Sequence, residues 1–265
     1  MKYIFLFGLT CLLGLGASTQ STTELSLDSL PERNQTAFGI GEELEFTLSY
    51  GFINAGKAVL TVNKSDSKFY GREVYHIVGE GKTTGAMDFF FKVRDRYETY
   101  IDTKGIFPWK FVRRVNEGGY KINQDYFFQH QKQKVKDQDG KEYTIPVGIQ
   151  DMLSVFYFAR TFDYENAKPG DIFEARSFVD GEVFPIQIKM EGTEYVNTDL
   201  GRFLCHRFIP MVQEGRVFKG EEDLHVWITA DKNHIPVLVE AEVLIGSVTM
   251  ELSGYKKLNH PIAKK

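Results

Sequence analysis

Cysteine is scarce in this chain: Cys11 and Cys205 are the only two in 265 residues. Cys11 falls inside the first apolar run, so once that run is removed no internal disulfide can form. The fold then rests on its own core, which a chain of this length can bury. Several local signatures are missing as well. No Gly-rich phosphate loop, HExxH, CxxC or GxSxG occurs, which removes the usual linear signs of nucleotide, zinc, dithiol and nucleophile-elbow chemistry. Gly39 and Gly41 precede a strand pattern with no helix after it, so they are not a dinucleotide fingerprint. The six histidines are scattered without helical pairing, and neither a metal site nor a cofactor is expected. An excess of one charge is lacking too. A formal charge of -4 gives no global pull toward nucleic acid or anionic lipid. No apolar run beyond the first is long enough to span a bilayer, so no transmembrane segment is expected in the mature chain.

What is present begins with a leader. Lys2 precedes an apolar stretch over residues 3–15, and Gly14, Gly16, Ala17 and Ser18 follow. That order predicts a secretory signal over residues 1–18, cleaved after Ala17 or Ser18, and an exported or periplasmic protein. Thr10 and the short stretch before it do not make Cys11 a lipoprotein cysteine, and a soluble protein is expected. Residues 19–38 are polar and read as a flexible lead-in, residues 39–258 as a single β-rich domain, and 259–265 as a polar tail.

Within the domain, period-two alternation dominates. Leu44, Phe46, Leu48 and Tyr50 share one face of a first strand, a Gly- and Asn-punctuated bend covers residues 51–57, and residues 58–62 alternate again. Further strands are predicted over 74–78, 94–101, 107–115, 121–135, 171–178, 182–191, 193–197, 203–210, 224–229, 237–243 and 247–252. Residues 87–93 are the densest apolar patch and suit a short helix or a wide turn. The period changes once. Met152, Leu153, Phe156, Tyr157 and Arg160 recur at three- and four-residue steps, which predicts a helix over residues 150–160 inserted between two β halves. Its aromatic face must be buried. The expected fold is therefore mainly β: a strongly curved antiparallel sheet, a half-barrel or open barrel, with one central helix packed on the concave face.

Candidate chemistry is thin. On a strand, Cys205 and His206 point to opposite faces and do not form a nucleophile and base. The run over residues 92–98 places charges on both faces of a strand, which suits a solvated face laced by ion pairs. Alternatively, Asp95 or Arg96 reaches the inner face and fixes a ligand's polar head while apolar side chains hold its body. Candidate ligand-binding residues are Phe89, Phe91, Asp95, Arg96, Met152 and Phe156. No catalytic residues are assigned, and Asp88, Asp95 and Asp151 show no spacing that pairs them as hydrolytic acids.

Three stretches together carry a resemblance: LEFTLSYGFINAGKAVLTV over 44–62, TTGAMDFFFKVRDRYETYIDTKGIFPWKF over 83–111, and IQDMLSVFYFAR over 149–160. They resemble the bacterial exported family catalogued as domain of unknown function 3108, across roughly residues 39–258. That family is similar in fold to periplasmic lipoprotein-carrier proteins, whose curved antiparallel sheet wraps helices and can hold an acyl chain. The segment over 226–252 resembles the tryptophan, turn, proline and hairpin order of such folds. The resemblance supplies no catalytic residues. Three functions follow as expectations: a non-enzymatic envelope protein that binds an apolar or amphipathic component such as a lipid or lipid-linked molecule, an envelope assembly factor with a filled core and a protein partner, or a hydrolase of an envelope polymer.

Overall fold

The computed structural model of the chain describes residues 24–211, 223–242 and 246–265. The leader expected over residues 1–18 lies outside them. The first half of the chain is a meander: β1 (Glu43–Tyr50), β2 (Ile53–Phe69), β3 (Arg72–Thr83), β4 (Arg94–Asp102), β5 (Pro108–Glu117), β6 (Tyr120–Gln129), β7 (Lys134–Asp137) and β8 (Glu142–Thr144). A six-residue helix, α1 (Gly85–Phe90), joins β3 to β4, and a second, α2 (Ser154–Ala159), follows β8. The second half is another meander: β9 (Ile172–Val179), β10 (Glu182–Thr198), β11 (Gly201–Pro210), β12 (Leu224–Thr229), β13 (Pro236–Glu242) and β14 (Ser247–Lys256).

All these strands belong to one antiparallel sheet of order β8-β7-β6-β5-β4-β3-β2-β1-β14-β13-β12-β11-β10-β9. The order is linear. β8 and β9 stand at opposite ends with no ladder between them, so the sheet is open and is not the strongly curved half-barrel or barrel expected. Alternation along strands says which residues share a face, but it does not say whether the last strand meets the first. The expectation of a single helix is corrected too, because α1 and α2 are both present. α2 is shorter than the predicted span for a local reason. Gln150 takes part in a strand-like bridge, accepting from Phe178 N–H and donating its own N–H to Arg176, and Asp151 then caps the turn that follows.

Elsewhere the turns and bulges explain the boundaries. Gly118 and Gly119 have φ of +56° and +94°, the left-handed pair that a two-residue hairpin needs between Glu117 and Tyr120. β10 is one strand where two were expected, since Gly192 makes a bulge between Met190 and the rest of the ladder with β11. The strand expected over 121–135 is interrupted by a single 3-10 turn at His130–Lys132, where Gln133 adopts a left-handed φ of 53°.

The core forms two main groups. Val62, Ile77, Ile101, Phe111, Tyr126, Phe128, Ile149, Tyr157 and Phe178 build one. Leu44, Phe46, Phe203, Cys205, Trp227, Ile235, Val237 and Leu252 build the other. Leu60 and Phe156 pack against both, so α2 fastens the two halves of the sheet through one aromatic ring. Within the stretch read as a lead-in, Leu30, Ala37 and Phe38 are buried. In the tail, Ala263 accepts the backbone N–H of Leu204.

Candidate ligand cleft

Strand register builds the cleft. Ala58, Gly81 and Asp95 lie opposite one another across β2, β3 and β4, and Leu60, Gly79 and Tyr97 form the next row on the same face. Each row has a glycine at its centre, and the floor is hollow at Gly81. A Cβ at Gly81 would meet nothing within 4 Å, whereas one at Gly79 would come within 3.0 Å of Leu60 Cδ2. Met152 and Leu153, from the segment entering α2, form the opposite wall. The space enclosed is about 280 Å³ and its lining is mostly apolar.

The wall is held by a buried acid. Asp151 Oδ1 accepts the backbone N–H groups of Leu153 (2.8 Å) and Ser154 (2.7 Å), and its Oδ2 accepts Thr99 Oγ1 at 2.6 Å. Ser154 Oγ in turn accepts the Asp151 N–H at 2.7 Å. Thr99 stands opposite Ile77 in the row just inside the cleft, so this network ties the wall to the floor. Burial pushes the Asp151 carboxyl up to about 6, against the opposing pull of its Ser154, Thr99 and Leu153 hydrogen bonds.

The rim is polar. Asp95 accepts the backbone N–H of Asn116 at 3.0 Å. Glu117 is raised from the usual carboxylate range by burial first, and then by the charge and hydrogen bond of Asp95. Burial also raises the Tyr97 hydroxyl, whose ring has the Arg113 guanidinium 5.9 Å from its centroid.

Of the residues singled out from sequence, Asp95 and Met152 line this cleft. Arg96 points to the other face of the sheet, where it pairs with Glu80 at 2.6 Å and Glu98 at 2.7 Å, and Glu98 reaches His76 at 2.7 Å. Phe156 serves the core, as described above. Phe89 and Phe91 stand in solvent on and just after α1. The residues not foreseen are Leu60, Gly79, Gly81, Tyr97 and Leu153. A usable signal existed in Gly79-Glu80-Gly81, two glycines on one face of a strand.

A second concavity of about 300 Å³ has a mixed polar and apolar wall that includes Arg160, Asp163, Tyr164, His206, Asp231 and His234. Burial lowers both histidines, and His234 Nδ1 lies 2.7 Å from the Arg160 carbonyl. Cys205 is fully buried, and burial pushes its thiol up to about 12, so it stays protonated at neutral pH. Among the described residues no three His, Cys, Asp or Glu side chains gather as a metal site. No helix among them is long and apolar enough to cross a membrane.

These features define an open, single-sheet antiparallel β protein with a small apolar cleft beside its second helix. The chain belongs to the family described as protein of unknown function DUF3108, which it matches over residues 45–253. Its fold is similar to that of a beta-barrel-like protein of domain of unknown function DUF1849 from Brucella abortus, with a TM-score of 0.53 and 14% identity, covering 82% of this chain and 97% of that one. It is more distantly similar to a DUF1089 family protein from Pseudomonas aeruginosa, with a TM-score of 0.39 and 10% identity over 68% of this chain and 87% of that one. None of the curated proteins compared with the chain matches it.

Proposed function

We propose that the protein is a non-enzymatic cell-envelope protein that binds an apolar or amphipathic molecule, a lipid or lipid-linked component, in the cleft between β2–β4 and the segment entering α2. The observation that carries this is the empty position at Gly81, which opens beside the apolar Ala58, Leu60, Met152 and Leu153 with Asp95 at its edge. A core that only needed filling would place side chains there. The volume lies near the lower end for ligand sites, which suits one alkyl chain or ring rather than a whole two-chain lipid. Asp95 and Glu117 at the rim would face the polar end of such a guest.

Gly81 gives a clean test, because its backbone is not left-handed and its missing side chain faces open space. Gly81→Leu should fold with an unchanged urea midpoint and occupy the cleft itself. Each methylene of a guest that no longer fits costs about 0.8 kcal/mol, so binding of a fluorescent fatty alcohol, whose neutral head suits the acidic rim, should weaken about ten- to fiftyfold. Native mass spectrometry of the gently purified protein should also show an adduct extractable by organic solvent, and this adduct should be absent from the variant. A clean mass for the wild type together with equal fatty-alcohol affinity in both proteins would sink the proposal. The alternative of an assembly role draws on the exposed phenylalanines at α1, whose surroundings point elsewhere, as follows.

A further inference from the structure

The turns at residues 51–52, 84–93 and 118–119 lie at one end of the sheet, and large apolar side chains stand in solvent on them. Phe52 is fully exposed, Ile53 is 57% exposed, and Phe89, Phe90 and Tyr120 are 88%, 78% and 60% exposed. The three tips are physically joined. Thr84 N–H donates to the Ala55 carbonyl at 3.1 Å, tying the entry of α1 to β2. The Phe91 ring lies where a Cβ on Gly118 would be, 2.5 Å away, which ties the exit to the 118–119 turn.

Just inside these tips, Lys57, Lys82 and Arg94 stand opposite one another in register across β2, β3 and β4, on the face away from the cleft. Like charges set directly opposite on neighbouring strands are destabilising. Asp88 compensates Arg94 at 2.6 Å. Lys57 and Lys82 have no carboxylate within ion-pair distance among the described residues, and neither do Lys92 and Lys121 beside the tips. The whole chain carries a formal charge of -4, so this cationic row is local and does not follow from composition.

We infer that this end of the sheet docks on an anionic lipid bilayer, with Phe52, Phe89 and Phe90 entering the interface and the lysine row meeting lipid phosphates. Exposed aromatics backed by unpaired lysines are the composition of interfacial membrane elements. The Phe89 and Phe90 rings meet edge to face at 5.4 Å on α1 and Phe52 stands on a separate hairpin tip, so the rings project as two points that a fluid surface can receive independently.

The test is flotation with vesicles of phosphatidylglycerol and phosphatidylethanolamine, compared with phosphatidylcholine alone. All proteins are used as a bacterial host produces them, with identical N-termini verified by mass, so that the apolar stretch near the N-terminus contributes equally. The wild type should float with the anionic vesicles. Phe52→Ser/Phe89→Ser/Phe90→Ser should lose about tenfold per ring. Lys57→Gln/Lys82→Gln should lose about fivefold per lysine, on anionic vesicles at low salt only. The three rings are exposed, so the urea midpoint of that variant should stay put, and the lysine variant, relieved of cross-strand repulsion, should be no less stable than the wild type. A wild type that does not float, a triple variant that floats as well as the wild type, or a lysine variant with unchanged anionic preference overturns the inference. So does a protein partner whose capture depends on the three rings while vesicles are not bound. The cleft is untouched by these substitutions, so retention of a cleft ligand and flotation can fail independently.

Discussion

Arg160→Met should lower the unfolding free energy by about 4 kcal/mol, measured by urea denaturation at neutral pH. Arg160 ends α2 and is almost wholly buried with Glu42. Its guanidinium donates to both Glu42 oxygens, at 2.6 and 2.7 Å, to the Ala37 carbonyl at 3.0 Å and to the Asn233 carbonyl at 2.9 Å. One side chain thus gathers the lead-in, the residue before β1, and the turn between β12 and β13. Removing it leaves a carboxylate buried without a counter-charge and two carbonyls without donors. Breaking one partner of a buried pair is costly, while removing both is often close to neutral. Glu42→Leu/Arg160→Met should therefore recover roughly half of the loss, the remainder reflecting the two carbonyls. A double variant no more stable than the single one would show that the cost lies in lost packing around Phe38 and Tyr157, whose rings flank the guanidinium.

A second large effect concerns pH. Asp151 is raised from 3.8 to about 6, so between those values the native state holds a proton that the unfolded chain has lost. Stability from this group is present at low pH and is lost, by about 3 kcal/mol, as pH rises through 6. His130 has the opposite sign. It is buried, with Nε2 2.7 Å from the Pro108 carbonyl and Nδ1 3.3 Å from the Gly148 N–H, an arrangement satisfied by the neutral ring. Burial lowers it from 6.5 to about 4, so the unfolded chain binds a proton in that window and the native state does not. Its contribution is lost, again by about 3 kcal/mol, as pH falls from 6.5 toward 4. Over this window the two slopes oppose each other. Asp151→Asn keeps an oxygen for the Leu153 and Ser154 N–H groups and removes one slope. The variant should therefore lose about 3 kcal/mol more than the wild type between pH 6.5 and 4. Parallel profiles for the two proteins across this range would contradict the assignment.

Much of the sheet could be read from alternation. Leu44 and Phe46 are buried on one face of β1 as their spacing requires, and the turn over residues 118–119 announces itself by two glycines. Parity also separated Asp95 from Arg96, but which of the two faced the cleft depended on Gly81 and Glu80 across the ladder, a non-local fact. Apolar density over residues 87–93 marks Phe89 and Phe91 as cavity residues, but whether such a run is buried depends on what passes over it. Phe91 is half covered by the 118–119 turn, and Phe89 is 88% exposed. The helix over 150–160 was cut short by contacts from Arg176 and Phe178, again distant in sequence.

The ladder order has a consequence for folding. From β2 through to β13, each strand pairs only with its neighbours in sequence, and the single distant pairing is β1 with β14, from Glu43 opposite Lys256 to Tyr50 opposite Val248. That seam lies in the middle of the sheet. On a ribosome or during passage through a translocation channel, the inner edge of β1 stays open until the last strand emerges, so the two meanders can form early but cannot join. Joining them is the slow, high-contact-order event. A chain reconnected from its present end to its present beginning, and opened between β8 and β9, would run through the same sheet as one uninterrupted up-and-down ribbon. Every pairing in it would then be local.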